Sequence, residues 1–112
     1  MVINGVDFDD VAKEAFEAAK NASDTSWDEL SDIVENIAKG ITSDVEFIVK
    51  KKAKDEFDES DAKIFMDDQK TVARMRLRSV AIITLKTAEL IWNAITTVFN
   101  TAINKAIGWK VI

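Results

Sequence analysis

Residues 60–107 read SDAKIFMDDQKTVARMRLRSVAIITLKTAELIWNAITTVFNTAINKAI, a stretch that contains neither Gly nor Pro. With no residue to break it, the stretch is predicted to be helical from Ser60 to Ile107. The apolar set Ala73, Leu77, Val80, Thr84, Ala88, Ile91, Ile95, Val98 and Ala102 keeps the i, i+3, i+4 spacing of a helix face. A competing strand signal lies in the β-branched run Val80 to Thr84 and the alternation of Arg74, Arg76 and Arg78 with Met75 and Leu77. The helical spacing runs straight through that region and outweighs it.

A single helix of this length would extend roughly 70 Å at 1.5 Å per residue. A compact domain of this size is only about 35 Å across, judged from its expected radius of gyration. The helix must therefore break, with Asp67 to Thr71 the expected place, or the molecule must be elongated and oligomeric. Wrapped at about 100° per residue, Ser79, Lys86, Glu89, Asn93, Thr96, Thr97, Asn100 and Asn104 form one narrow polar stripe. Apolar residues, Ile91, Trp92, Ile95, Val98 and Phe99 among them, occupy most of the remaining circumference. So broad an apolar face needs a cover.

Upstream, three shorter helices are expected. Asn4-Gly5 is a turn signal, and Asp7 can cap a helix whose apolar face is Phe8, Val11, Ala12, Ala15, Phe16 and Ala19, ending near Ala22. Ser26 and Glu29 have capping-box spacing ahead of the stripe Trp27, Leu30, Ile33, Val34, Ile37 and Ile41, which Gly40 is expected to stop. Ser43 and Glu46 repeat that spacing before Val45, Ile48, Val49 and Ala53, giving a third helix that is either separate or kinked from the second. Lys50, Lys51, Lys52 and Lys54 end it, and Asp55, Glu56, Asp58, Glu59 and Asp61 precede the next start, the charge order that helix dipoles favour. Gly108 can terminate the last helix, leaving Trp109 to Ile112 as a short tail. The fold class is all-α: a bundle of about four helices in which three short N-terminal helices pack on one long C-terminal helix. One domain spanning residues 1–112 fits the length.

The chemistry of the chain is restricted. It has no His and no Cys, which removes the commonest general base, the commonest metal ligand and thiolate chemistry. Ser, Thr and Lys remain without a recognisable activating base. Glu14 with Glu17, and Asp28 with Asp32 and Glu35, read as solvated helix faces. The acidic stretch 55–61 is not a calcium loop, because it lacks the Gly that an EF-hand turn requires. Gly5, Gly40 and Gly108 are isolated from one another, so no phosphate-binding loop exists. No catalytic residue, cofactor or metal site is assigned, and an enzyme is not expected.

The net charge of −5 disfavours nucleic acid and anionic membrane surfaces as partners and favours a basic protein. The run Lys50 to Lys54 and the set Lys70, Arg74 and Arg78 read as solvated faces, given the net charge and with no exposed aromatic residues expected nearby. Lys63 with Asp67, and Lys86 with Glu89, have the spacing of ordinary helix pairs. Leu90 to Asn104 carries no formal charge, but 15 residues fall short of the roughly 20 that a membrane span needs. A cytoplasmic location is the default, since the first ten residues lack the features of a secretory signal.

The leading functional expectation is a non-catalytic interaction or assembly module that forms a homodimer through its C-terminal helix. Ile91, Trp92, Ile95, Val98 and Phe99 are its expected apolar anchors. Asn93 and Asn100, which continue the seven-residue recurrence of Ser79 and Lys86, are its expected polar register. The alternatives are a small acidic inhibitor or immunity-type protein that recognises a basic partner through Asp9, Asp10, Glu14, Glu17, Asp28, Asp32 and Glu35, and a membrane-associating helical protein.

Overall fold

A computed structural model describes residues 2–23, 27–79 and 84–112. The chain begins with a minimal hairpin, β1 (Val2–Ile3) and β2 (Val6–Asp7), paired antiparallel with Val2 opposite Asp7 and Ile3 opposite Val6. Its two-residue loop is Asn4-Gly5, with φ of 50° and 80°. Positive φ at both positions is the type I′ requirement that Asn-Gly meets with least strain. Four helices follow: α1 (Phe8–Ala22), α2 (Trp27–Ala53), α3 (Glu59–Arg78) and α4 (Leu85–Ile107). The all-α bundle expected from the sequence is present, but its helices are divided differently.

The expected second and third helices are one. Buried Leu30, Val34, Ile37, Ala38, Ile41, Val45 and Ile48 form an unbroken i, i+3, i+4 stripe across Gly40. Gly within a helix costs only about 1 kcal/mol relative to Ala, less than one well-buried aliphatic side chain contributes. Burial therefore overrides the stop signal. The capping signal at Ser43 goes unused, while Ser26 lies outside the described residues.

The expected long helix is two. It is interrupted between Arg78 and Leu85, not at Asp67 to Thr71. Ser79 closes α3 with its N–H bonded to Met75 O at 3.0 Å. Thr84 opens α4 in extended conformation, its Oγ1 accepting from Thr87 N at 3.1 Å. Thr84 caps this helix well because its hydroxyl satisfies one of the N–H groups left unpaired in the first turn. Of the strand weighed there, Val80 to Ile83 lie outside the described residues. At the other end, α3 starts on a capping box: Asp61 N donates to Asp58 Oδ1 at 2.8 Å and Asp58 N donates to Asp61 Oδ2 at 3.2 Å.

The four helices close a ring. α1 packs on α2 and, most extensively, on α4, while α3 packs on α2 and α4. The molecule measures 44 × 25 × 17 Å, and its long axis matches the roughly 40 Å of the 27-residue α2. The C-terminal end ties the elements together. Asn4 Nδ2 donates to Ala106 O, Lys52 Nζ donates to Ile107 O at 2.9 Å, and Lys110 N donates to Glu59 Oε1 at 3.0 Å. Lys52 also lies 4.8 Å from the centre of the Trp109 ring, and Val111 is fully buried. The tail is thus part of the core.

Candidate functional site

The expected interface residues of α4 divide by burial. Ile91, Ile95 and Phe99 are fully buried within the one chain, and Trp92 is nearly so. Val98 and Asn100 are half-buried, and Asn93 is exposed. The polar stripe of Lys86, Glu89, Asn93, Thr96, Thr97, Asn100 and Asn104 faces outward or lies at the rim. The cover that the broad apolar face needs is provided chiefly by α1, and by α3 and α2.

The expected ion pairs also regroup. Glu89 is engaged by Arg74 of α3, whose Nη2 lies 3.0 and 3.1 Å from its two oxygens, in place of the expected pairing with Lys86. Asp67 faces Lys70 at 3.9 Å rather than Lys63. Arg76 Nη1 donates to Asn36 Oδ1 at 2.7 Å, joining α3 to α2. A second joint is Gln69 Nε2 donating to Asp44 Oδ1 at 3.0 Å. Burial pushes the Asp44 carboxyl above its ordinary range, and the Gln69 bond offsets part of that shift.

The acidic residues expected to meet a basic partner remain at the surface. Asp9, Asp10, Glu14 and Glu17 on α1 and Asp28, Asp32 and Glu35 on α2 are all exposed. Charge is segregated along the chain: residues 1–35 hold ten acidic and two basic side chains, a net −8, against +3 for residues 36–112. Between α1 and α2 runs an open groove of about 1010 Å³. Ala12, Phe16 and Ala38 give it an apolar floor, and Asp9, Lys13, Glu17, Glu35 and Lys39 form charged rims. The Phe16 ring stands edge-on to Trp27, with centroids 4.9 Å apart. Glu35 bridges Lys39 at 2.8 Å, and the hydrogen bond and charge of that carboxylate raise the lysine pKa. A smaller cleft of about 450 Å³ lies on the other flank of α1, where Asp10 and Glu14 oppose Thr97, Val98, Thr101 and Lys105 of α4.

The groove was not visible in the sequence. Helical spacing assigns Ala12 and Phe16 of its floor to the core, whereas in the fold both are only half-buried. The sequence also missed an aromatic cluster. Phe47 lies 4.8 Å from Phe65 and 5.8 Å from Phe57, centroid to centroid, and Lys51 stands 5.5 Å over the Phe47 ring. The lysines at the end of α2 therefore do have aromatic neighbours. Two of them are also matched by acids, Lys50 bridging Glu46 at 3.4 Å and Lys51 bridging Glu56 at 2.8 Å.

Among the described residues no group of three or more acidic side chains is placed to hold a metal ion. Nor is any helix long and apolar enough to cross a membrane. Comparison with protein-family models, curated proteins and solved structures gives no match.

Proposed function

We propose that this chain is a non-catalytic binding module whose acidic α1/α2 face and groove receive a basic, amphipathic segment of another protein. The observation that carries this reading is the charge segregation: among the described residues of α1 and the start of α2, the exposed acids Asp9, Asp10, Glu14, Glu17, Asp28, Glu29, Asp32 and Glu35 outnumber Lys13 and Lys20, beside an apolar-floored groove. An amphipathic helix would lay its apolar side on Ala12 and Phe16 and its lysines and arginines against Glu17, Glu35 and the neighbouring Asp32. Charge complementarity of this kind chiefly raises association rate and specificity. Self-association through α4 was motivated by an apolar face without a cover. With Ile91, Ile95 and Phe99 buried in one chain, that motive no longer favours it.

The test is an amide NMR titration with an 18-residue helical peptide bearing leucines on one face and lysines on the other. At low salt, shifts should concentrate in residues 9–21 and 28–43. The affinity should fall at least about tenfold between 20 and 500 mM NaCl, as the screening length shrinks to a few ångströms. Joint replacement Glu17→Lys, Asp32→Lys and Glu35→Lys should abolish binding. No binding at low salt, shifts centred on α3, or indifference to both salt and charge reversal would each refute the proposal.

A further inference from the structure

The largest apolar side chains left in solvent are not on α4 alone. Ile64 is 62% exposed, Met75 64% and Val72 48%, all on α3. α3 buries Ala62, Met66, Ala73 and Leu77 against the bundle, so at 100° per residue its opposite side carries Asp61, Ile64, Asp68, Thr71, Met75 and Arg78. All six are exposed. Their spacing alternates three and four, which is the seam of a helix that packs against another helix.

The order of residues along this seam is self-complementary. A two-fold axis perpendicular to α3 between residues 69 and 70 reverses the order, so that facing positions sum to 139. Ile64 then meets the partner's Met75, Asp61 meets the partner's Arg78, and Asp68 meets the partner's Thr71, each layer occurring twice. On the flanks, Val72 would meet the partner's Phe65 on one side, whereas Arg74 and Asp67 on the other are already engaged within the chain by Glu89 and Lys70.

We infer that the outer face of α3 is an isologous interface, on which a second copy of this chain docks antiparallel with Ile64 against Met75. Asp61 keeps one carboxylate oxygen for this contact, since its capping bond uses only Oδ2. The Thr71 hydroxyl, which bonds Asp67 O at 3.0 Å in the single chain, would turn to the partner's Asp68. Only one kind of layer is wholly apolar, and the two Asp68 carboxylates flank the axis, so the dimer is weak, with a dissociation constant on the order of 100 μM. The surface lies apart from the α1/α2 groove, so a dimer would present two acidic faces. The inference is independent of the proposed function.

The register gives a decisive experiment, read by sedimentation velocity from 10 μM to 1 mM. The native chain should show mass-action dimerisation. Ile64→Lys and Met75→Glu should each weaken it on the order of a hundredfold, because each change enters two layers. Mixing the two single variants should restore association, because the heterodimer has one native layer and one with lysine against glutamate. In a single chain these positions lie roughly 16 Å apart, so the rescue cannot arise within one molecule. Both side chains are exposed, and unchanged circular dichroism should accompany each substitution. A native chain monomeric at 1 mM, single variants that still dimerise, or a mixture that stays monomeric would overturn the inference. So would loss of dimerisation on replacing Asn93 and Asn100 of α4 by Asp.

Discussion

Replacing Ile95 decides whether the broad apolar face of α4 is closed within one chain. The side chain is fully buried, at the centre of a stripe that includes Ile91, Phe99 and Ala102. Ile95→Ala removes apolar surface worth about 2 kcal/mol by transfer and leaves a cavity, for a total of about 3 to 4 kcal/mol. A domain of this length has a stability of roughly 5–15 kcal/mol. The Ala variant should therefore fold, with a urea midpoint clearly lowered and a melting temperature reduced by roughly 10–20 °C. Ile95→Asp adds an unpaired buried carboxylate, whose penalty takes the total beyond about 5 kcal/mol, and should leave little cooperative transition. Ile64→Asp is the control, since that side chain is 62% exposed and should shift stability by only about 0.5 kcal/mol. Circular dichroism at 222 nm against urea reads all three. A folded Ile95→Asp chain with an unchanged midpoint would refute the account, because it would mean that α1, α2 and α3 do not cover α4.

Gly40→Ala should stabilise the protein by about 0.5 to 1 kcal/mol, because Gly40 lies inside α2 and an added Cβ meets nothing within 4 Å; a lower melting temperature would mean that α2 is not continuous there. Gly108→Ala should cost about 1 kcal/mol, since this residue ends α4 at φ 80°, and no change in the urea midpoint would contradict that cap. Asp44→Asn should raise stability at pH 7 while the hydrogen bond from Gln69 is kept. The folded-state pKa of Asp44 is raised by burial, so its favourable contribution is complete below the unfolded-state pKa and is lost as pH rises through the folded one. The advantage of Asn should accordingly vanish near pH 3, and thermal melts across pH 3–7 showing a constant difference would refute this sign.

Each feature legible in the sequence has a local cause. Asn4-Gly5 fixed the turn because few other pairs accept two positive φ values. Asp7 and Gly108 fixed the ends of α1 and α4 because a cap acts within one turn. The alternation of apolar positions fixed the helical class, since burial along a stripe outweighs any single propensity. The acidic faces of α1 and α2 were also legible, because exposed charge follows from the same periodicity.

Tertiary structure decided the rest. Gly40 does not stop α2, because the stripe from Leu30 to Ile48 gains more from continuous burial than the glycine costs. α3 ends at Arg78 and not at Asp67, because Asp67 lies within a helix whose inner face, Met66 to Leu77, is held against the bundle, and α4 starts afresh on the Thr84 cap. The seam on α3 was concealed for a related reason. Only two of its six residues are apolar, so beside Ala62, Met66, Ala73 and Leu77 it reads as an ordinary solvated face until the direction of the core is known. The sequence by itself determined that α4 needs a cover, because its composition leaves no wide polar side. Only the packed chain decided that the cover is its own α1, α2 and α3, since choosing between a bend and a second chain depends on long-range burial that no local signal carries.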